Sequence, residues 1–236
     1  MTKKIRETKK VFIFIVEGRS DKHALEKIFQ KIYRNKNVVF KVTDGDITSD
    51  EEMDESKVIE AIWLKVDEYI KDKKIVKKDI AQIIHVFDTD GVYVPDSAII
   101  EGNTKEFWYT TTSISCKDSQ RIRNRNKQKR NLMDYLLDLQ DIKGISYQGY
   151  FMSSNLDHAL YDIQNLEDEL KGEYADEFYA AFLDLEDKFI DFLKTDVVNG
   201  VPDSFPSSWR YIKEGVRSLE RHTNLHIFFN QNPHWV

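Results

Sequence analysis

A continuous apolar run, VFIFIV at residues 11–16, constrains the fold more than any other stretch of the sequence. A strand with one face in water alternates apolar and polar residues, whereas a strand covered on both faces is apolar throughout. The run therefore predicts a buried strand of a parallel sheet. It leads directly into Glu17-Gly18, and Asp21 follows where a helical pattern starts. Two carboxylates thus stand at the end of a strand that is expected to be buried.

The first half of the chain alternates predicted strands and helices. Apolar residues at helical spacing run from Ala24 to Ile32 and from Val58 to Ile70, and residues 38–42 and 80–87 have strand character. After a less regular middle, a fourth strand is predicted at about residues 145–152. Strands that alternate with helices pair in parallel through right-handed crossovers. We therefore expect an α/β fold with a mainly parallel sheet flanked by helices.

The last third of the chain is predicted to be helical. Apolar and aromatic side chains at helical spacing predict a short helix from Leu156, one long helix from Tyr174 to Phe192, and a final helix from Ser207 to about Arg221. We accordingly divide the chain into an α/β domain at residues 1–155 and a helical C-terminal extension at residues 156–236 that packs on it.

Charge and composition narrow the class of protein. The net charge of -6 argues against binding nucleic acid through bulk charge, although it is compatible with a local basic groove. Cys116 is the only cysteine, which excludes an internal disulfide and a cysteine-built zinc cluster. No apolar run is long enough to span a membrane, and no leader pattern follows the basic N-terminus. We therefore expect a cytoplasmic protein without membrane contact.

Carboxylates also follow the third predicted strand, as Asp88 and Asp90. If the backbone stays extended there, both side chains point to the same face. The carboxyl ends of parallel strands form the crevice where ligands bind, so Glu17 is expected nearby, and Asp44 and Asp46 could flank it. Buried carboxylates repel one another unless a cation compensates, and Mg²⁺ or Mn²⁺ favours such oxygen ligands.

The two motifs together resemble the Toprim domain. VEGRSD at residues 16–21 supplies a glutamate-glycine pair after the first strand, and HVFDTDG at residues 85–91 supplies an Asp-x-Asp after the third. The placement of Asp21 four residues after Glu17 is most similar to the OLD-family and defence-associated stand-alone Toprim nucleases. The resemblance covers about residues 11–155.

The resemblance implies a Toprim-like sheet and a nuclease that hydrolyses phosphodiester bonds of DNA or RNA, acting in defence against phage. It implies Mg²⁺ or Mn²⁺ as cofactor. The catalytic residues would be Glu17, Asp88 and Asp90, and the metal ligands would be Glu17, Asp21, Asp88 and Asp90. Asp157 and His158, after the fourth predicted strand, are further candidates for the same site.

A basic run, RIRNRNKQKR at residues 121–130, contains no acidic residue. A nucleic-acid backbone requires a stripe of this kind, although many charge runs are only solvated helix faces. Trp108 and Tyr109 precede the run and could stack on unpaired bases. The nucleic-acid-binding residues are predicted to be Arg121, Arg123, Arg125, Lys127, Lys129 and Arg130.

Other interpretations stay open at this level. OLD proteins usually carry an ATPase, yet the chain lacks a G-x-x-x-x-G-K-[ST] phosphate loop, so it would act alone or with a separate ATPase subunit that silences it. A non-catalytic, RecR-like nucleic-acid-binding module is another alternative. A homodimer remains open. Glu17-Gly18 and Asp88–Gly91 could also be ordinary turns, with Asp21 at a helix N-terminus and His158 in a core.

Overall fold

The structure is a computed structural model, and it describes residues 10–34, 37–102, 107–197 and 200–233. It confirms an α/β fold in which a mostly parallel sheet is flanked by helices. The outermost residues of the two predicted domains, 1–9 and 234–236, lie outside the described residues.

The elements follow the predicted alternation. The first half contains β1 (Val11–Val16), α1 (Arg19–Ile32), β2 (Asn37–Val42), α2 (Glu55–Lys73) and β3 (Ile80–Asp88). The middle contains β4 (Ile99–Glu101), β5 (Phe107–Tyr109), β6 (Ile114–Cys116), α3 (Ser119–Asp138), β7 (Asp141–Ile142) and β8 (Ile145–Met152). The last part contains α4 (Leu156–Tyr161), α5 (Lys171–Ala181), α6 (Glu186–Phe192), a π-helical turn (Leu193–Val197), α7 (Phe205–Ile212) and α8 (His226–Gln231).

The main sheet has the strand order β2-β1-β3-β8-β7. The first four strands are parallel, and β7 pairs antiparallel with β8. Val16 is level with Val42, and Asp88 is level with Met152, so the residues after these strands share one edge of the sheet. All six residues of β1 are buried, as the unbroken apolar run predicts.

Helices cover both faces of the sheet, and the C-terminal helices contribute to both cores. On one face Phe12 and Phe14 pack with α1, α4, α5, α6 and α8; on the other, Ile13 and Ile15 pack with α2, α3 and α7. Phe14 stacks on Phe40 with ring centroids 4.6 Å apart. A separate sheet of order β4-β6-β5 packs against the start of α3.

Two predicted helices are shorter than expected. The long helix predicted from Tyr174 to Phe192 is divided into α5 and α6, because Asp184 adopts a left-handed conformation with φ of 60°. The break lets Phe182 contact Phe189 at 5.5 Å between ring centroids, within one aromatic cluster. The helix predicted from Ser207 to about Arg221 corresponds to α7, which ends at Ile212, and Gly215 then turns the chain at φ of 59°.

No helix among the described residues is both long and apolar enough to cross a membrane.

A buried histidine in β3 makes stability depend on pH. His85 is 1% exposed, and its Nδ1 lies 3.0 Å from the hydroxyl of Tyr147. Burial lowers the pKa of His85 to about 3, because the charged form loses its hydration. The unfolded chain therefore binds one more proton than the folded chain between that value and the ordinary histidine pKa of about 6.5.

We expect His85 to reduce stability as the pH falls below about 6.5, with a slope of about 1.4 kcal/mol per pH unit. Substitution His85→Gln should remove that part of the slope when the free energy of unfolding is measured by urea denaturation from pH 7 to about pH 4.5. If the free energy of unfolding depends on pH equally in the variant and the wild type, the pKa of His85 is not lowered in the folded protein.

Candidate functional site

The turn after β1 explains the placement of Asp21. Helix α1 begins at Arg19, and the Asp21 carboxylate accepts a hydrogen bond from the backbone N–H of Gly18 at 2.8 Å. The Ser20 hydroxyl donates to the same carboxylate at 3.3 Å. Asp21 thus closes the turn between β1 and α1 while its side chain remains at the sheet edge.

The turn after β3 separates the two aspartates of the Asp-x-Asp motif. Asp88 is the last residue of β3, whereas Asp90 has φ of 47°, a left-handed conformation. The extended backbone needed to point both side chains to one face therefore ends at Asp88. Gly91 follows with φ of 64°, and a Cβ there would lie 2.5 Å from Leu219 Cδ2. Glycine is required at this turn for both reasons.

A buried lysine from α3 joins three carboxylates at this edge. Lys129 is 0% exposed, and its Nζ lies 2.7 Å from Asp46 Oδ2, 2.7 Å from Asp90 Oδ2 and 3.6 Å from Glu17 Oε1. We call these four residues the lysine cluster. Its carboxylates come from the segments that follow β1, β2 and β3, so one ammonium group fixes three loops of the sheet edge.

Within the lysine cluster, Asp46 and Lys129 are held in their charged forms. Burial by itself would raise the pKa of Asp46, but the adjacent Lys129 ammonium holds that pKa well below its usual range. Burial by itself would likewise lower the pKa of Lys129, but Asp46, Asp90 and Glu17 raise it well above its ordinary value. Thr48 also donates to Asp46 through its backbone N–H at 2.8 Å and its hydroxyl at 2.6 Å.

A second set of carboxylates lines a cavity of about 360 Å³ beside the cluster. We call it the carboxylate cavity, and the four acidic side chains that define it are Glu17, Asp21, Asp88 and Asp157. Asp44 and Asp46 also line it, as expected for residues after β2. Among the described residues, its cationic lining consists of Arg19 and Lys171. Lys171, whose Nζ is 3.7 Å from Asp157 Oδ2, carried no recognisable signal in the sequence.

Burial and mutual repulsion disfavour the charged forms of these acids. The pKa of Glu17 is raised well above its ordinary value, by burial first and then by Asp46, Asp90 and Asp21. The pKa of Asp88 is raised in the same way, by burial and then by Glu17 and Asp21. Burial also raises the pKa of Asp21, and it raises that of Asp157 to about 6. The cavity therefore favours an added cation or a bound proton.

The donor chemistry of the carboxylate cavity suits a divalent cation. Glu17, Asp21, Asp88 and Asp157 offer hard oxygen ligands, which Mg²⁺ and Mn²⁺ prefer, and Asp157 Oδ1 is buried without a hydrogen-bond partner. In the part of the chain that the structure describes, no group of three or more His, Cys, Asp or Glu side chains is already arranged to hold a metal ion. Binding an ion would therefore require these side chains to turn toward it.

His158 lies outside the cavity lining. It is 3% exposed, its Nε2 is 3.8 Å from Asp162 Oδ1, and burial lowers its pKa to about 4. The backbone N–H of His158 donates to the Asn155 side chain at 2.8 Å, which caps α4. The contacts of His158 are those of a core histidine at the start of a helix, whereas its neighbour Asp157 faces the cavity.

The basic run lies within α3, and its cationic side chains point to different faces of that helix. Arg121 and Lys127 are exposed, and Arg123 and Arg130 are half-buried. The Arg123 guanidinium donates to the Ser119 hydroxyl at 2.9 Å. Helical geometry, with neighbours three and four residues apart, distributes a run of consecutive cations around the axis.

The remaining two cations of the run point into the protein. Arg125 donates to the Tyr109 hydroxyl at 3.2 Å and to the Asp90 backbone oxygen at 3.1 Å. Lys129 occupies the lysine cluster and has no exposed surface with which to contact a phosphate backbone. The prediction that all six cations form one nucleic-acid-binding stripe is therefore corrected for Lys129, because its side chain is required to neutralise buried carboxylates.

Comparisons of the chain with protein-family models, with curated proteins and with solved structures found no significant match.

We expect Lys129→Met to destabilise the protein by about 3–5 kcal/mol, because removing one partner of a buried ion pair leaves uncompensated buried charge. The measurement is urea denaturation at pH 7. Adding Asp90→Asn should recover part of the loss, since it removes one of the stranded carboxylates.

Lys127→Met is the matched control, because Lys127 is an exposed lysine two residues earlier on the same helix. It should change the free energy of unfolding by no more than about 0.5 kcal/mol. Equal effects of the two substitutions would contradict a neutralising role for Lys129.

Proposed function

We propose that the chain is a Toprim-like, metal-dependent nuclease that hydrolyses phosphodiester bonds of DNA or RNA. The observation that supports this most is the convergence of Glu17, Asp21, Asp88 and Asp157 on one cavity at the carboxyl ends of parallel strands. A purely structural site would keep its buried acids paired, whereas this cavity has more carboxyl groups than its own cations can pair with.

The roles of the residues follow from their positions. Glu17, Asp21, Asp88 and Asp157 would hold Mg²⁺ or Mn²⁺. When bound, such an ion would stabilise negative charge on a phosphoryl oxygen and make a water molecule more acidic. Asp90, expected from the sequence to be a ligand, instead pairs with Lys129 and helps to fix the turn that presents Asp88.

The cationic residues have separate roles. Lys129 holds the Glu17 carboxylate in place, with 3.6 Å between Nζ and Oε1. Lys171 lines the carboxylate cavity and is half-buried, so its ammonium group, which pairs with Asp168 at 2.9 Å, would also attract a phosphate group that enters the cavity. Arg121 and Lys127, which are exposed on α3, would contact the nucleic-acid backbone.

A non-catalytic nucleic-acid-binding module is the second candidate. One observation favours it: the Lys129 ammonium group already pairs with Asp46 and Asp90. On this alternative the carboxylates would serve to hold the loops together, and binding of nucleic acid would not depend on a divalent cation.

Cleavage is tested on plasmid DNA, single-stranded DNA and total tRNA with Mg²⁺ or Mn²⁺. Glu17→Gln and Asp88→Asn should each reduce cleavage by about 100-fold or more, because even residues that only orient a metal ligand contribute about 10- to 100-fold. Asp67→Asn is the control, since Asp67 pairs with Lys71 on the surface of α2. Metal-dependent cutting that survives in both site variants would contradict the assignment, and an intact fold that binds but never cuts would favour the second candidate.

A second test uses stability instead of activity. Without divalent cations, Asp88→Asn should raise the melting temperature at pH 7 by a few degrees, because it removes a buried charge that Glu17 and Asp21 repel. The raised pKa of Asp88 means that the carboxylate is stabilising when protonated and that this contribution is lost as the pH rises through the folded-state pKa. The gain of the variant should therefore shrink at acidic pH.

The same experiment tests the cofactor. Mg²⁺ or Mn²⁺ should raise the melting temperature of the wild-type protein. An ion concentration of one hundred times the dissociation constant corresponds to about 2.7 kcal/mol of added stability. The melting temperature of Asp88→Asn should respond much less. A wild-type protein that does not respond to either cation would argue against a metal site in the carboxylate cavity.

A further inference from the structure

Carboxylate oxygens surround the ammonium group of Lys129 much as they would surround a metal ion. Asp46 and Asp90 each accept a hydrogen bond from Nζ at 2.7 Å, and Glu17 Oε1 lies 3.6 Å from the same atom. The side chain of Lys129 is fully buried, so these carboxylates compensate its charge in place of bulk solvent. The position is a cation site built from carboxylates, and the cation that fills it belongs to the chain.

Both oxygens of each aspartate in the lysine cluster are already engaged. Asp46 gives Oδ2 to Lys129, and its Oδ1 accepts from the backbone N–H and the hydroxyl of Thr48 at 2.8 and 2.6 Å. Asp90 also gives Oδ2 to Lys129, and its Oδ1 accepts from the Tyr109 hydroxyl at 3.4 Å. Tyr109, which the sequence suggested as a stacking residue, is buried beside this network. An ion at this position would have to displace the ammonium group and would compete with these donors.

Two carboxylates belong both to the lysine cluster and to the carboxylate cavity. Glu17 and Asp46 contact Lys129, and both also line the cavity. Glu17 Oε1 accepts from the backbone N–H of Asp88 at 3.4 Å, which places this carboxylate beside the end of β3. Two-metal phosphodiesterase sites place two cations about 3.5–4 Å apart, so that the attacking and the leaving oxygen are both stabilised. At this sheet edge, one of two neighbouring cation positions is filled by a side chain.

An unpartnered oxygen marks the other cation position. Asp157 is 5% exposed, and its Oδ1 is buried without a hydrogen-bond partner. The other oxygen, Oδ2, lies 3.7 Å from the Nζ of Lys171. A buried carboxylate oxygen without a donor is destabilising unless a ligand satisfies it. The cavity can therefore accept a cation beside Asp157, whereas the oxygens around Lys129 already have theirs.

We infer that Lys129 takes the place of a second metal ion, so that the carboxylate cavity binds a single Mg²⁺ or Mn²⁺ ion and the ammonium group supplies the other, fixed positive charge. This inference rests on the proposed function and specifies its cofactor requirement as one ion per chain. An ammonium group has no coordination position for water. Lys129 is therefore a positioning residue, which compensates charge and orients Glu17, and only the ion in the cavity can make a water molecule more acidic.

The test counts the ions that the full chain binds, by equilibrium dialysis against Mn²⁺ with the free ion measured by electron paramagnetic resonance. The wild-type protein should bind one ion. Lys129→Met should bind two, because it leaves Asp46, Asp90 and Glu17 without their cation. Mn²⁺ should also raise the melting temperature of Lys129→Met more than that of the wild type, since each occupied site adds stability.

Lys71→Met is the matched control, because it removes a lysine that pairs with Asp67 on the surface of α2. It should bind one ion, as the wild type does. If Lys129→Met does not fold at any concentration of Mn²⁺, the wild-type count decides alone: one ion supports the inference and two ions overturn it.

The outcomes separate the role of Lys129 from the proposed function. Two ions on the wild type, or one ion on folded Lys129→Met, would overturn the role of Lys129 and leave the metal-dependent nuclease standing. One ion on the wild type and two on Lys129→Met, without cleavage of any nucleic acid, would leave the role of Lys129 standing and overturn the nuclease. A wild-type protein that binds no ion would overturn both.

Discussion

The ammonium group of Lys129 is the interaction on which the sheet edge depends. It lies within 3.6 Å of carboxylates that follow three different strands, and it is fully buried. Without a cation at this point, the half-buried carboxylates of Glu17, Asp46 and Asp90 would face one another unpaired, which is destabilising. Helix α3 therefore does more than cover one face of the sheet. It supplies the charge that lets β1, β2 and β3 end in acidic residues.

This neutralisation is incomplete, and the incompleteness is what supports the proposal of a functional site over a structural ion cluster. Asp46 is held in its charged form by Lys129, whereas Glu17 and Asp88 are left with raised pKa values on the side that faces the carboxylate cavity. A fold selected for stability alone would replace such acids by amides or apolar side chains. Natural proteins keep local conflicts of this kind mainly where a ligand resolves them.

Much of this edge could be predicted from the sequence. The unbroken apolar run at residues 11–16 predicts a buried parallel strand, and parallel strands bring their carboxyl ends together, so Glu17 and Asp88 converge for a reason visible in the sequence. The position of Asp90 could not be predicted in the same way, because it depends on one left-handed backbone angle. Lys129 could not be distinguished from its neighbours in the basic run, since only the rotation of α3 against the sheet selects the lysine that is buried.

The same rotation connects the carboxylates to β5. Arg125 lies one helical turn before Lys129 and donates both to the Tyr109 hydroxyl and to the backbone oxygen of Asp90. Tyr109 in turn positions β5, so one face of α3 fixes the turn after β3 and the strand that carries Trp108. Arg121 and Lys127 remain exposed on the other faces of the helix. A run of cations that is continuous in the sequence is therefore divided in the structure, because Arg125 and Lys129 hold the turn after β3 and the strand β5 together from inside the protein.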